Sequence, residues 1–239
     1  MTSFAYVGGE LDLFATATNW KSYFRSHLEP YLGRDVLEVG AGLGGTTRLL
    51  CRGDEQRWVC LEPDAGLAER LVESIREGQV PATCEVVIGT LEQIEGRANF
   101  DTLLYIDVLE HIPDDRTELA RAAECLRAGG HVLVLSPAHP WLYTTFDQAI
   151  GHCRRYTKKT LAALTPESLE LVRLLYLDSV GLLASLGNRL LLKSAMPTAQ
   201  QIAVWDKFLV QSSRLVDPLL AYSVGKSVVG VWRKRGPSS

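Results

Sequence analysis

Seven residues, Glu38-Val39-Gly40-Ala41-Gly42-Leu43-Gly44, constrain the fold of this chain more than any other stretch. They close a short apolar run, Asp35 to Val39, and open a helical run near Thr46. A buried strand that ends in glycines and feeds a helix is the first unit of an open α/β sheet, whose nucleotide ligands bind at the carboxyl ends of the strands. Glycine lets the backbone turn sharply there and approach a ligand with no Cβ in the way. Glycines 40, 42 and 45 also satisfy GxGxxG, so the glycines by themselves suit several cofactors.

Two acids narrow the choice. Glu38 stands two residues before the first glycine, where a dinucleotide would place its pyrophosphate. A carboxylate repels that group and attracts a ligand carrying an ammonium and a sulfonium, as S-adenosylmethionine (SAM) does. Glu62 ends the next apolar run, 22 residues after Gly40, where a carboxylate accepts hydrogen bonds from both ribose hydroxyls. NAD sites use that acid too, so Glu62 indicates a nucleoside without choosing which.

The remaining pattern alternates strands with helices, which predicts a mostly parallel sheet covered on both faces. A helix is expected over Leu11 to Leu32, and strands over Asp35 to Val39, Arg57 to Leu61, Glu85 to Ile88, Phe100 to Ile106 and His131 to Ser136. Asp64 is placed to cap a helix running through Glu77. A helix from Pro113 to Ala128 is expected to stop at Gly129 and Gly130. After Pro137 the rhythm breaks. Trp141 to Tyr156 reads as a loop or lid, Thr157 to Leu164 as a short helix, Leu169 to Tyr176 as a sixth strand, Leu177 to Ser223 as a mostly helical insertion, and Lys226 to Arg233 as a last strand. The expected fold is therefore a Rossmann-like, seven-stranded, mostly parallel α/β sheet with a helical insertion before the last strand. Residues 1–239 are expected to form one domain, with 1–33 as an N-terminal helical cap and 177–223 as a helical insertion or lid.

Composition sets outer limits. Hydrophobic residues make up 46% of 239, enough for a large core. Lys and Arg number 25 against 28 Asp and Glu, a net charge of −3, which demotes nucleic-acid substrates. Five cysteines with no CxxC pair indicate reduced thiols in a cytoplasmic protein. Met1 to Glu10 lack the blocks of a signal peptide. Val180 to Leu192 is too short to span a bilayer, so it reads as a buried helix or as a surface that greases a lipid-like substrate.

With these residues in hand, the chain resembles a known family. Asp35-Val-Leu-Glu-Val-Gly-Ala-Gly-Leu-Gly44 resembles motif I of class I SAM-dependent methyltransferases. Leu61-Glu-Pro-Asp64 resembles their second motif, Tyr105-Ile-Asp-Val-Leu-Glu-His-Ile112 their fourth-strand motif, and Leu126-Arg-Ala-Gly-Gly130 the turn before strand five. The resemblance implies that Glu38, Gly40, Gly42 and Gly44 border the methionine portion of SAM. Glu62 and Pro63 would flank the ribose. Gly89, Thr90 and Leu91 would line the adenine, and Asp107 would sit beside the methionine end. Relatives often carry an acid where Thr90 stands. S-adenosylhomocysteine would be the product.

Gly151-His-Cys-Arg-Arg-Tyr-Thr157 resembles a GHxRRYT stretch of a bacterial subgroup of that family, whose substrates are poorly defined. The segment follows strand five, on the rim where cofactor and acceptor meet. His139, Asp147 and His152 are the candidate bases, His152 first because histidine ordinarily titrates near neutrality. Each is otherwise a structural hydrogen-bonding group of the lid. Arg154 and Arg155 either clamp an acidic substrate or pair with Asp147 or Glu110 to hold the lid closed. Tyr143, Tyr156 and Trp141 are candidates for an apolar wall, and Tyr6 and Trp20 for covering the cofactor. No histidine and acid spacing announces a metal site. The expected activity is methyl transfer to an O or N atom of a small molecule, secondary-metabolite, sugar- or lipid-linked. The alternatives are a non-methylating cyclisation or rearrangement on the same scaffold, and an NAD-dependent oxidoreductase. Residues 177–223 would cover the active site, form a homodimer contact, or do both.

Overall fold

The computed structural model describes residues 14, 16–94, 99–191 and 198–236, with side-chain detail absent for 188–191. Seven strands form one sheet in the order β3-β2-β1-β4-β5-β7-β6. These are β1 (Asp35–Val39), β2 (Arg57–Glu62), β3 (Cys84–Ile88), β4 (Phe100–Ile106), β5 (Leu126–Pro137), β6 (Leu169–Leu177) and β7 (Ser227–Lys234). The first five run parallel, and β7 lies antiparallel between β5 and β6.

All five residues of β1 are buried, because helices cover both faces of the sheet at its centre. Leu37 and Val39 join the core on one face, and Val36 joins the core on the other, with Trp58 and Cys60. The chain winds from β1 outward to β3, then returns to place β4 on the other side of β1. The order in which strands are added reverses there, and the crevice opens at the carboxyl ends of β1 and β4.

The helices are α1 (Thr18–Leu28), α2 (Thr47–Leu50), α3 (Ala65–Arg76), α4 (Asp115–Cys125), α5 (Thr145–Ala149), α6 (Lys158–Ala162), α7 (Ser179–Leu191), α8 (Ala199–Val204) and α9 (Val210–Leu219). Asp64 caps α3 as expected, its Oδ1 accepting from the Leu67 amide at 2.9 Å. The helix expected to end at Ala128 stops at Cys125 instead. Leu126 already pairs with Phe100, and the register shifts before His131 meets Thr102. Residues 127–130 are thus a bulge at the start of a long fifth strand. The helix expected from Leu11 is described from Thr18, and most of its predicted first part, with Tyr6, lies outside the described residues.

Two buried aspartates, Asp206 and Asp217, bind the N-terminal helix to the helices between β6 and β7, and a third, Asp178, braces those helices among themselves. Asp206 accepts from the Asn19 amide, the Asn19 side chain and the Trp20 amide at 2.8–3.1 Å. Asp217 accepts from the Asp178 and Ser179 amides and from the Tyr23 hydroxyl. Asp178 accepts from Gly181 N, Ser213 Oγ and Trp205 Nε1. Trp20 packs on Tyr23, Phe24 and Trp205 within this unit. Replacing Asp217 with alanine would strand two buried amides and a hydroxyl, and is expected to lower unfolding stability by about 3 kcal/mol in urea titration.

Candidate cofactor cradle and acceptor rim

Gly40, Gly42 and Gly44 all take positive φ (+67°, +54° and +74°), the left-handed region that glycine tolerates. A Cβ on Gly40 would lie 2.6 Å from Val108 Cγ2, so the turn has no room for a side chain. Gly40 and Ala41 amides donate to the Leu61 carbonyl, which pins the turn to the end of β2.

Glu62 is the fixed point of the cradle. Its Oε2 accepts from the Gly42 amide at 2.8 Å and its Oε1 from the Asp64 amide at 2.9 Å. Burial raises its carboxyl, and those two amides oppose the rise. Each oxygen keeps lone-pair capacity for a further donor, as a ribose diol requires.

Glu38 shares the Val36 face of β1 by period two. Its Oε2 accepts from Thr47 Oγ1 at 2.7 Å and Trp58 Nε1 at 2.9 Å. Burial pushes its carboxyl up to about 7; the two donors work against that push and Glu62 adds to it. The fold therefore holds a proton that the unfolded chain releases near the ordinary value of 4.5. Stability from this group is full below pH 4.5 and is lost as pH rises through 7, by about 3 kcal/mol. Thermal melts of Glu38→Gln are expected to remove that downward slope between pH 4.5 and 7.

Gly89 sits at φ +142° and donates to the Glu62 carbonyl. Gln93 Oε1 accepts from the Thr90 amide at 2.7 Å and from its hydroxyl at 3.3 Å. Thr90 is exposed, whereas Leu91 is 2% exposed and belongs to the core. Gln93 is the residue that sequence reading missed: its amide lies against Gly89, where any Cβ would collide with it.

At the end of β4, Asp107 adopts φ +54° and donates its amide to the Leu135 carbonyl. It reaches solvent, yet protein atoms surround it closely enough to raise its carboxyl to about 6. His152, Lys226 and Arg155 oppose that rise.

The rim follows β5. His139 N donates to the Tyr156 carbonyl and Tyr156 N to the Pro137 carbonyl, so residues 138–156 form a loop closed at its base. Asp147 is wholly buried inside it. It accepts from Thr144 N and Oγ1, from Arg155 Nε at 2.7 Å and Nη2 at 3.0 Å, and it contacts His152 Nδ1 at 2.9 Å. Burial alone would raise its carboxyl, but His152 and Arg155 hold it well below the usual range. An ionised Asp147 only accepts, so His152 Nδ1 carries a hydrogen, which in the neutral ring leaves the lone pair on Nε2.

Several sequence candidates are engaged elsewhere. Arg154 pairs with Asp115 and donates to the Pro113 carbonyl. Arg155 is committed to Asp147, the lid-holding alternative. Tyr156 is 2% exposed and donates to Asp115 Oδ2 at 2.7 Å. Tyr143 donates to the His152 carbonyl at 2.7 Å. His139 Nε2 lies 2.9 Å from the Gly225 carbonyl. Of the three candidate bases, Asp147 is an anchor and His139 is tied to the backbone. His152 is the one whose ring nitrogen faces another functional group, Glu110 Oε1 at 3.7 Å. Burial and Asp107 push the Glu110 carboxyl upward, against the pull of the Ser136 hydroxyl and Arg155.

Residues 37–132 match the family model described as a methyltransferase domain. Over 105 residues the chain is 30% identical to the ubiquinone biosynthesis O-methyltransferase of Paramagnetospirillum magneticum, covering 44% of this chain and 41% of that protein. The chain thus spans under half the length of that curated relative. Residues 37–132 are thus similar to a methyltransferase domain, and the seven-stranded sheet has the Rossmann-like methyltransferase fold. Solved structures with this fold include coclaurine N-methyltransferase bound to N-methylheliamine and S-adenosylhomocysteine, at TM-score 0.63 and 14% identity, covering 91% of this chain and 72% of that one. The [4+2]-cyclase SpnF matches at TM-score 0.61 and 13% identity, covering 96% of this chain and 95% of that one. At such identities these two establish the fold of the methyltransferase domain and nothing of its chemistry. Among the described residues, no helix is long and apolar enough to cross a membrane.

Proposed function

We propose that the chain binds SAM in the cradle and transfers its methyl group to an oxygen or nitrogen atom of a small molecule held against residues 138–156. The observation that carries this reading is the acidic ring of Glu38, Glu62 and Asp107 at or beside the ends of three neighbouring strands, around a turn where Gly40 and Gly44 leave no room for a Cβ. A pyrophosphate would enter that ring against repulsion, whereas a cationic nucleoside is drawn to it. A cation at the turn also offsets the burial that raises Glu38.

Glu62 would hold the ribose hydroxyls, and the backbone of Gly40 to Gly44 the methionine portion. Gly89, Thr90 and Leu91 would border the adenine. The cofactor, when bound, supplies an electrophilic methyl group on a positively charged sulfur. The chain supplies proximity and orientation. Nε2 of His152, oriented through Nδ1 by Asp147, is the lone pair that would draw off the acceptor's proton. Trp141, 48% exposed, and Tyr143 would offer the acceptor an apolar edge. The named role of the Paramagnetospirillum relative favours an oxygen acceptor. A net charge of −3 disfavours nucleic acid as acceptor, and five free cysteines, four buried and Cys153 exposed, suit a reducing compartment such as the cytoplasm. Exposed Leu215 and Leu219 on α9 suit a homodimer contact.

The test is mass spectrometry of acceptor pools incubated with SAM. A product one methylene heavier is expected; an unchanged mass would favour a cyclisation or rearrangement instead. His152→Ala is expected to lower kcat by roughly a hundredfold or more.

A further inference from the structure

We propose that Glu110, His111 and His152 bind a divalent transition-metal cation of the zinc class, whose open coordination position takes an oxygen of the acceptor. One ligand atom from each of the three residues can be chosen so that all lie within 4.8 Å of one another. Glu110 and His111 come from the turn after β4, and His152 from the loop after β5, so the cluster lies where the proposed acceptor meets the crevice.

The geometry fits ligation better than hydrogen bonding. Glu110 Oε1 and His152 Nε2 stand 3.7 Å apart, too far for a hydrogen bond. Two donors around a tetrahedral zinc ion stand roughly 3.4 Å apart, given bonds near 2.1 Å. The rings of His111 and His152 meet edge to face with centroids 4.6 Å apart, which puts two imidazoles on one small space.

Glu110 supplies an independent sign. The residue is fully buried, and its Oε1 has no hydrogen-bond partner among the described residues, while Oε2 accepts from Ser136 Oγ at 2.9 Å. Burying a carboxylate oxygen without a partner is unfavourable, and a cation would satisfy it. The outer contacts also match those of ligated metals. A metal-binding histidine commonly gives its other ring N–H to a carboxylate, and His152 Nδ1 meets Asp147 at 2.9 Å. Ser136 likewise fixes Glu110. Two imidazoles and one carboxylate suit zinc, cobalt or nickel over magnesium or calcium. Three protein ligands with an open position is the pattern of a catalytic site.

Such a cation would acidify a hydroxyl placed on it. The acceptor class is then a hydroxyl or carboxylate oxygen; a hydroxyl's proton would pass to bulk water, and in the metal-loaded chain this replaces the direct base role of His152, whose Nε2 is then a ligand. That use rests on the methyl-transfer reading; the binding does not.

The test strips the full chain with a chelator and titrates it with zinc chloride by calorimetry. One saturable site with micromolar or tighter affinity is expected. Glu110→Gln and His152→Ala should each weaken it at least tenfold, with circular dichroism as the check on folding. Cobalt loading of the wild type, which needs no variant, should give the intense visible absorption of a four- or five-coordinate ion. No saturable binding by the wild type would overturn the proposal, as would variants that bind as well as it does. S-adenosylhomocysteine titrated into the stripped protein separates the two readings: its binding without zinc binding would leave methyl transfer standing and remove the metal site.

Discussion

Glu62→Ala is expected to weaken S-adenosylhomocysteine binding by roughly 100- to 1,000-fold in calorimetric titration. The ribose diol would donate two hydrogen bonds to an ionised carboxylate, each worth about 1.5–2 kcal/mol, and every 1.4 kcal/mol is a factor of ten. The same carboxylate receives the Gly42 and Asp64 amides, so its loss also removes one of the bonds that hold the glycine turn to β2. Glu62→Gln keeps one acceptor oxygen and should fall between the two. A change below threefold in the alanine variant would remove Glu62 from the cradle.

Asp147→Ala is expected to destabilise the fold by about 3–5 kcal/mol, the usual penalty for leaving one partner of a buried ion pair unmatched. Arg155 is 12% exposed in its side chain and would keep its charge without the carboxylate to which it is hydrogen-bonded. Thr144 would lose both bonds that start α5, and His152 would lose the contact that fixes its tautomer. Because the Asp147 carboxyl is held below its usual value, its contribution is full above pH 4 and fades as pH falls further. Urea unfolding at pH 7 and pH 3 should therefore show a large deficit for the variant at the first and a smaller one at the second. Equal deficits at both would contradict the ion-pair account.

What could be read from the sequence was whatever local chemistry decides. β1 and β4 have the expected bounds because a run such as Val-Leu-Glu-Val between a turn and glycines admits one answer. Asp64 caps α3 because a short acidic side chain before an apolar-periodic run has one job. β5 was harder. Leu126 to Gly130 resembles a helix end closed by glycines, yet pairing with β4 recruits Leu126 into the sheet, a tertiary preference invisible in the local string. The order β5-β7-β6 is likewise set by a strand that arrives after the whole helical insertion.

The candidate site divides the same way. Glu38, Gly40, Gly42 and Glu62 are placed by strand ends, so their neighbourhood follows from the fold. In Arg154, Arg155 and Tyr156, adjacent residues point to different partners, Asp115 for the first and third and Asp147 for the second. Only the loop's path decides between clamping a substrate and bracing the lid. The cluster of Glu110, His111 and His152 joins residues 41 positions apart, beyond the reach of ligand-spacing rules. Gln93 carried no sequence signal beyond following Gly89 and Thr90, where relatives bring an acid.

The most direct test of the central claim, that the acidic glycine cradle selects SAM, is a pair of calorimetric titrations of the wild type with S-adenosylhomocysteine and with NAD. Saturable, one-site binding of the first at micromolar affinity and no heat from the second are expected. Saturable binding of NAD with none of S-adenosylhomocysteine would contradict the account.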